Sequence, residues 1–285
     1  MSIDPKTVTV FLDPSPSGRR RAAHAVSLAQ RWGAHLVGVH PVFAGATLHP
    51  STCYVRGHSA IDQVIVDQRE LEAVAEAASV LLGKHFRALC ADAYVSAEFR
   101  AIRRGHPAED AILRALSSDL VIVGHPEPHG LPDDTSPESI LLASGVPLLI
   151  VPNAWDGETI GQRILIGWNA TRQARRAVSD AMVFLVAATS VIVLVVDPFG
   201  QHLHREESGA GIARQLARHG AHVRVEQVAS GGSPVAQVIL SYAQRSASDL
   251  LVVGAYSHAR LRELVLGGTT RTLLVRMPVP VLISR

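Results

Sequence analysis

A long internal repeat runs through this sequence. Residues 118–124 read SDLVIVG, and residues 248–254, which lie 130 positions later, read SDLLVVG. Residues 146–150 (VPLLI) return at 279–283 (VPVLI), at an offset of 133. Similar segments at a nearly constant offset indicate two copies of one structural unit. The repeat therefore predicts two tandem domains of one fold.

The first copy carries extra chain. The opening segments of the two copies, residues 8–13 and 164–169, are 156 positions apart, which is 26 more than the offset between residues 118–124 and 248–254. The additional residues must lie before position 118, and residues 44–90 are predicted to supply them. The predicted domains are residues 1–153 and 160–285, in keeping with the roughly 100–200 residues of a typical domain.

Short apolar runs alternate with helical segments in both copies. Runs such as residues 121–123 and 191–196 are β-branched and apolar throughout, which is typical of parallel strands buried on both faces. One helical stripe in the inserted chain consists of Leu71, Val74, Ala75, Ala78 and Leu82. The pattern predicts an α/β fold, in which each copy is an open, doubly wound parallel sheet of five strands with helices on both faces.

Composition excludes several classes of protein. The chain is 47% hydrophobic and 18% charged, so it has material for a core and lacks the charge excess of disordered chains. The apolar run at 181–196 is shorter than the ~20 residues that a membrane helix needs, and residues 1–5 show no signal-peptide pattern. We therefore expect a cytoplasmic protein without membrane contacts. Aromatic residues make up only 5%, and no basic stripe interleaves them, so nucleic acid is not an expected partner.

The number and spacing of the cysteines and histidines predict neither a disulfide framework nor a metal site. Cys53 and Cys90 are too few for a disulfide framework or a four-ligand zinc site, and both are predicted to be unpaired thiols. The 14 histidines form a few close pairs, but no carboxylate or Cys partner stands beside them at ligand spacing. No metal site is expected.

The second copy is the more basic half and carries the candidate ligand loops. Up to residue 155 there are 13 Lys and Arg against 16 Asp and Glu, and beyond it there are 14 against 9. In open parallel sheets, ligands bind outside the carboxyl ends of the strands, where the winding reverses. Residues 167–171 (GWNAT) follow the first strand of this copy, and residues 254–270 follow its fourth. Small residues at the start of the last helix predict a phosphate cradle there.

These loops resemble those of tandem universal stress proteins, and the resemblance covers essentially the whole chain. In the nucleotide-binding branch of that family the second loop reads G-x-x-G-x9-G-[ST]. The resemblance implies ATP, with or without Mg²⁺, held by this loop, by an Asp after the first strand and by an apolar residue after the second. Gly254 and Gly267 match the first and third glycines, and Val195 matches the apolar position.

Three positions depart from the family pattern. Ser257 stands in place of the second glycine, Gly268 in place of the Ser or Thr, and Asn169 in place of the Asp. Thr269 or Thr270 could supply the missing hydroxyl one or two residues later. Asn169 still offers a donor and an acceptor to a ribose or a base edge, whereas a side chain at position 257 costs on the order of 1 kcal/mol if the site requires positive φ.

The first copy matches the binding pattern less well. It keeps Asp13 and Gly124, but its loop has no glycine pair before the last helix and instead carries Asp133, Asp134 and Glu138. These carboxylates would repel a phosphate. The first copy is therefore predicted to be a structural partner of the second.

The resemblance implies a stress-response protein that binds an adenine nucleotide in its C-terminal domain as a sensor or regulator, rather than an enzyme. Two alternatives remain open: an interaction scaffold whose nucleotide pocket has decayed, acting through a protein partner that the sequence does not identify, and a slow ATPase with His258 as the base. The two copies are expected to pack as a pseudo-two-fold pair, as single-domain members do in a homodimer. Edge strands would allow further association into a homodimer, and Pro147 and Pro280 at the last strands would blunt those edges.

Overall fold

The computed structural model describes residues 4–42, 58–102, 107–125, 136–197, 209–255 and 268–285. Within these residues, ten strands and nine helices follow one another along the chain. The N-terminal half contains β1 (Thr7–Phe11), α1 (Pro16–Trp32), β2 (His35–Pro41), α2 (His58–Asp92), β3 (Ala97–Ile102), α3 (Pro107–Leu116), β4 (Leu120–Gly124), α4 (Pro137–Ser144) and β5 (Leu148–Val151). The C-terminal half contains β6 (Arg163–Gly167), α5 (Arg172–Asp180), α6 (Met182–Ala187), β7 (Ser190–Val196), α7 (Ala210–Arg218), β8 (Val223–Val228), α8 (Val235–Arg245), β9 (Leu250–Gly254), α9 (Gly268–Arg276) and β10 (Val281–Ser284).

The strands of the described residues form one continuous sheet in the order β3-β2-β1-β4-β5-β10-β9-β6-β7-β8. Each half contributes five parallel strands in the same relative order, which confirms the predicted α/β class with its doubly wound parallel units. The two units do not form separate sheets, as two independent domains would. β5 pairs with β10 in antiparallel register, with Leu149 opposite Leu282, and this joins them into a single ten-stranded sheet.

Pro147 and Pro280 lie at the junction of the two halves rather than at open edges. Each proline stands directly before its strand, so the missing proline N–H falls outside the β5–β10 ladder. Their carbonyl groups are used within each half: Pro147 O accepts from Val121 N at 3.1 Å, and Pro280 O accepts from Leu251 N at 2.9 Å. The expectation that these prolines blunt exposed edges was wrong, because the two edges cover each other.

Each face of the sheet carries one apolar core that spans both halves. Side chains of a strand alternate between faces, so Leu149 belongs to the core beneath α1, α2, α5, α6 and α7, and Leu148 belongs to the core beneath α3, α4, α8 and α9. An aromatic contact links helices of the two halves on the first face, where the rings of Trp32 and Phe184 meet edge to face with centroids 5.0 Å apart. The two repeats therefore share their cores.

The repeated Ser-Asp-Leu segments have a common structural role. Asp119, just before β4, accepts hydrogen bonds from the backbone N–H groups of Lys6 and Thr7, at 2.7 and 2.9 Å. Asp249, just before β9, accepts from the backbone N–H groups of residues 161, 162 and 163, at 2.8 to 3.2 Å. In both halves the carboxylate holds the chain as it enters the first strand, which explains why this dipeptide recurs.

The apolar stripe predicted in the inserted chain lies on α2, and only part of it is buried. Leu82 is buried as expected, but Leu71 and Val74 are 56% and 68% exposed. α2 has 35 residues and is therefore roughly 50 Å long at 1.5 Å per residue, whereas the six residues of neighbouring β3 span only about 20 Å. The sheet is too short to cover the first half of the helix, so the apolar periodicity continues beyond the core.

None of the described helices has the length and apolar character needed to cross a bilayer. Cys90 is an unpaired thiol in the core, and burial raises its pKa to about 11. Cys53 lies outside the described residues.

Replacing Phe184 by Ala tests the link between the halves. We expect the free energy of unfolding to fall by about 3–5 kcal/mol, because a fully buried ring that packs on Trp32 is removed. Urea denaturation followed by circular dichroism measures this loss. The matched control is Val186→Ala on the exposed side of the same helix, which should change stability by less than about 0.5 kcal/mol. Equal effects of the two substitutions would contradict a shared core.

Candidate functional site

The strand order places one crevice in each half. The winding reverses between β1 and β4 in the N-terminal half, and between β6 and β9 in the C-terminal half. Ligands of open parallel sheets bind at such reversals, outside the carboxyl ends of the strands. Because β5 and β10 are antiparallel, the carboxyl ends of the two halves lie at opposite edges of the sheet.

The N-terminal crevice is filled by the side chain of Arg21. This arginine is only 4% exposed, its Nε donates to the carbonyl oxygen of Phe11 at 2.9 Å, and one terminal nitrogen donates to Asp13 Oδ2. Its guanidinium lies against Gly124 so closely that a Cβ there would overlap it. The protein's own cation thus occupies the space between the ends of β1 and β4.

Asp13 is fully engaged by its neighbours. Its Oδ1 accepts from the backbone N–H of Ser15 at 3.0 Å and from the Ser15 hydroxyl, while Oδ2 pairs with Arg21. Burial raises the pKa of this carboxyl, but the charge of Arg21 and the Ser15 hydrogen bonds outweigh it, so that the pKa lies below its ordinary value. The carboxylate that the family resemblance assigns to a nucleotide is used here to hold the arginine.

In the C-terminal crevice no arginine occupies the position equivalent to Arg21. At the offset of 156, the counterpart of Arg21 is the small buried residue Ala177. The first turn of α5 approaches Gly254 instead, and a Cβ at this position would overlap the backbone of Gln173 and Ala174. Gly254 is therefore required for the close packing of β9 against α5, whether or not it also contacts a ligand.

Asn169 lies on the surface, two residues after the end of β6. Its Oδ1 accepts from the hydroxyl of Thr171 at 2.7 Å, and Thr171 in turn caps α5 by accepting from the backbone N–H of Ala174 at 3.3 Å. Among the described residues its Nδ2 has no partner, so this donor faces solvent. Ala170 between them has φ of +55°, a conformation that costs a non-glycine residue roughly 1 kcal/mol and that is enriched at ligand sites.

Arg172 is a feature that the sequence analysis missed. It is exposed at the first position of α5, immediately before the turn that packs on Gly254. Within the described residues it has no carboxylate partner, and a cation is disfavoured at a helix N-terminus unless an anion is nearby. Its counterpart in the N-terminal half is Pro16, so inspection of this one position in the repeat would have drawn attention to it.

Val195 lies inside the structure rather than at the strand end. It is buried and packs near Gly209 at the start of α7. The following residue, Val196, is partly exposed at the carboxyl end of β7. Of the two, Val196 is the one that reaches the edge where a ligand would lie.

The loop before α9 is described only at its two ends. Gly254 ends β9, and α9 begins at Gly268, as expected for a helix opened by small residues. Thr269 lies in the first turn of α9, and Thr270, also in that turn, is buried. Ser257 and Gly267 lie outside the described residues, as does the predicted base His258.

A buried hydroxyl beside Gly254 lacks a partner. Ser284 pairs with Gly254 in the β9–β10 ladder, is 2% exposed, and its Oγ makes no hydrogen bond to any described residue. A buried polar group without a partner costs about 1–3 kcal/mol. The matching position of the N-terminal half is Val151, which carries no hydroxyl.

The turn at residues 230–233 (SGGS) is a structural turn. Ser233 N donates to Ser230 O at 3.0 Å, and Gly231 and Gly232 have φ of +59° and +82°. Ser230 N donates to Oδ1 of Asp197 at 2.7 Å, and this backbone hydrogen bond lowers the pKa of Asp197. In the described part of the chain, no group of three His, Cys, Asp or Glu side chains could hold a metal ion.

The C-terminal half is similar in sequence to a known family. The sequence model of the universal stress protein family matches residues 161–285. A universal stress protein of Synechocystis sp. is 43% identical over 49 residues, and the match spans 17% of each of the two chains. The aligned stretch is thus less than a fifth of that relative.

Solved structures extend the likeness to both halves. A universal stress protein from Archaeoglobus fulgidus is 15% identical with a TM-score of 0.70, and the alignment covers 98% of each chain. A protein described as a putative universal stress protein, from Pseudomonas aeruginosa, is 17% identical with a TM-score of 0.57, covering 98% of this chain and 93% of that one. At such identities the similarity shows the fold, which the two halves together share with these proteins.

Replacing Arg21 by Met tests the filling of the N-terminal crevice. We expect the free energy of unfolding at pH 7 to fall by about 2 kcal/mol, less than for a fully buried pair, because the Asp13 side chain is 42% exposed and water screens it. The folded-state pKa of Asp13 lies below its ordinary 3.8, so the pair contributes above that pH and loses its contribution as the pH falls through the folded-state pKa.

The difference between R21M and the parent chain should therefore shrink in acid. Urea titrations at neutral and acidic pH measure it, with Arg19→Met on the exposed side of the same helix as the control. A loss of stability that is the same at both pH values would show that the ion pair contributes nothing and that only the packing of the side chain matters.

Proposed function

We propose that this protein, whose residues 161–285 match the universal stress protein family model and whose fold is similar to that of a solved universal stress protein, binds an adenine nucleotide in its C-terminal half and acts as a sensor or regulator. The proposed ligand is ATP, with or without Mg²⁺. The proposed activity is binding; the residue considered for a slow ATPase, His258, lies outside the described residues.

The observation that carries this proposal is the difference between the two crevices. Arg21 fills the N-terminal crevice and neutralises Asp13, whereas the matching position of the C-terminal half is Ala177, which supplies no cation. The C-terminal half retains the unpartnered Ser284 hydroxyl and the strained backbone at Ala170. Unsatisfied polar groups and strain persist in folded proteins mainly where a ligand makes use of them.

The charges around this edge suit a phosphate. Arg172 supplies a cation without a carboxylate partner among the described residues. α9 begins at Gly268, beyond the carboxyl end of β9, and the positive end of its dipole would attract an anion there. Asn169 offers its free Nδ2 to a ribose or a base, and Val196 offers an apolar surface at the end of the next strand. Together these groups match the polar and apolar parts of a nucleotide.

The N-terminal half fits a scaffold role. Its crevice is occupied by an ion pair that belongs to the protein, and its core is continuous with that of the other half. The filled crevice and the shared core both favour the hypothesis that the N-terminal half acts as a scaffold. The filled crevice also predicts one nucleotide per chain.

Isothermal titration with ATP tests the binding site. We expect one ATP per chain, and we expect Asn169→Ala to weaken binding by about tenfold, the effect of losing one hydrogen bond to a polar ligand. Gln237→Ala, which removes an exposed amide from α8 of the same half, is the control and should leave the affinity unchanged. Absence of heat at millimolar ATP, with and without Mg²⁺, would refute nucleotide binding.

A second titration asks whether Arg172 faces the phosphates. We expect Arg172→Ala to weaken ATP by about tenfold or more while leaving the affinity for adenosine unchanged, because a charge-assisted hydrogen bond is lost only where phosphate is present. The control is Arg218→Ala, an exposed arginine in the last turn of α7. If adenosine and ATP weaken equally, Arg172 shapes the loop and does not contact phosphate.

A further inference from the structure

A cleft opens between α2 and the edge strand β3, away from both crevices. It has a volume of about 290 Å³ and is lined by Ser79, Val80, Gly83, Lys84, Arg87, Phe99 and Ala101. The five residues from α2 form one stripe along the helix, and the two from β3 point to the same face because strand residues alternate. The α2 residues of the cleft lie within the segment 44–90 that is longer in the first copy, whereas Phe99 and Ala101 lie on β3, beyond that segment.

A buried hydroxyl at the cleft has no partner. Ser79 is 1% exposed, it lines the cleft, and its Oγ makes no hydrogen bond to any described residue. A serine in the middle of a helix ordinarily satisfies its hydroxyl with a backbone carbonyl of the preceding turn. Here the hydroxyl lies in the wall of the cleft with no such partner among the described residues.

Two cations stand above this hydroxyl on the same helix. Lys84 and Arg87 line the cleft, and neither pairs with a carboxylate among the described residues. The carboxylate of the adjacent strand is turned away: Glu98 pairs with Arg100, and these two residues alternate with Phe99 and face the other side of β3. The cleft therefore carries uncompensated positive charge.

The remaining surface is apolar and aromatic. The Arg87 guanidinium lies 5.6 Å from the centroid of the Phe99 ring, which itself packs on Phe86 with centroids 6.2 Å apart. Gly83 allows this close approach, because a Cβ there would lie 2.8 Å from the Phe99 ring. Phe99 is thus held in place, with Val80 and Ala101 beside it, as a fixed apolar wall.

We propose that this cleft binds a small organic anion whose carboxylate or phosphate contacts Lys84, Arg87 and the Ser79 hydroxyl, and whose apolar body packs on Phe99, Val80 and Ala101. The site is separate from the proposed nucleotide site. It would let the N-terminal half take a ligand of its own although its crevice is filled by Arg21.

Phenyl phosphate, which combines an aromatic ring with an anion, is the probe. Titration of the ¹⁵N-labelled protein, followed through the assigned amide resonances of Gly83 and Ala101, reports on this cleft alone. We expect saturable shifts in the millimolar range, about tenfold weaker binding in the double variant Lys84→Ala/Arg87→Ala, and weaker binding in Ser79→Ala. Both cations are exposed, so their replacement should not disturb folding.

Three controls separate the proposal from its alternatives. The double variant Arg19→Ala/Arg31→Ala removes the same charge from exposed positions of α1 and should leave the affinity unchanged. Arg172→Ala, which tests the nucleotide site, should also leave it unchanged. Inorganic phosphate and phenol should each bind more weakly than phenyl phosphate.

The proposal is overturned if phenyl phosphate does not shift these resonances, if the double variant of Lys84 and Arg87 binds as tightly as the parent chain, or if inorganic phosphate binds as tightly as phenyl phosphate. None of these results depends on ATP binding at the other end of the molecule. If phenyl phosphate does not bind the cleft, the proposed nucleotide site is unaffected. If ATP does not bind the C-terminal half, the proposed anion site in the cleft is unaffected.

Discussion

The antiparallel pairing of β5 with β10 determines how the two halves relate. Each of these strands ends its own parallel unit, and each would expose an unpaired edge without the other. Their pairing brings Leu149 opposite Leu282 within one core, so the repeats are halves of a single structure. It also turns the carboxyl ends of the two halves toward opposite edges of the sheet. Each crevice can therefore change its residues without affecting the other.

Much of this fold can be read from the sequence, because it depends on local patterns that occur twice. Apolar β-branched runs predicted the parallel strands, and the repeated Asp119 and Asp249 marked equivalent positions at which a carboxylate holds the entering chain. The predictions that failed depend on the relative lengths of helices and strands, which the periodicity of apolar residues does not encode. The stripe through Leu71 and Val74 is apolar and helical, yet it remains exposed because α2 is longer than the sheet it packs on.

The candidate site was predictable only in part. Asn169 and Gly254 were identified because they follow predicted strands, and loop position is a consequence of topology. Arg21 was missed because it ends a run of three arginines, a pattern typical of a solvated helix face. Its burial depends on the Phe11 carbonyl and Asp13, which the crossover from β1 to α1 brings within reach. Ser284 was missed because an unpaired hydroxyl leaves no mark on a sequence.

The two crevices represent opposite solutions to one physical problem. Polar groups at the carboxyl end of a parallel sheet must be satisfied by the protein, by water or by a ligand. Arg21 satisfies Asp13 and the Phe11 carbonyl permanently, which stabilises the N-terminal half and closes its crevice. The C-terminal half has Ala177 at the matching position, and its buried Ser284 hydroxyl has no partner among the described residues. Because the two halves share their cores, the stability that the ion pair contributes in one half can offset the cost of such an unpartnered group in the other; this is the physical basis for the proposal that the first repeat supports the fold and the second binds the ligand.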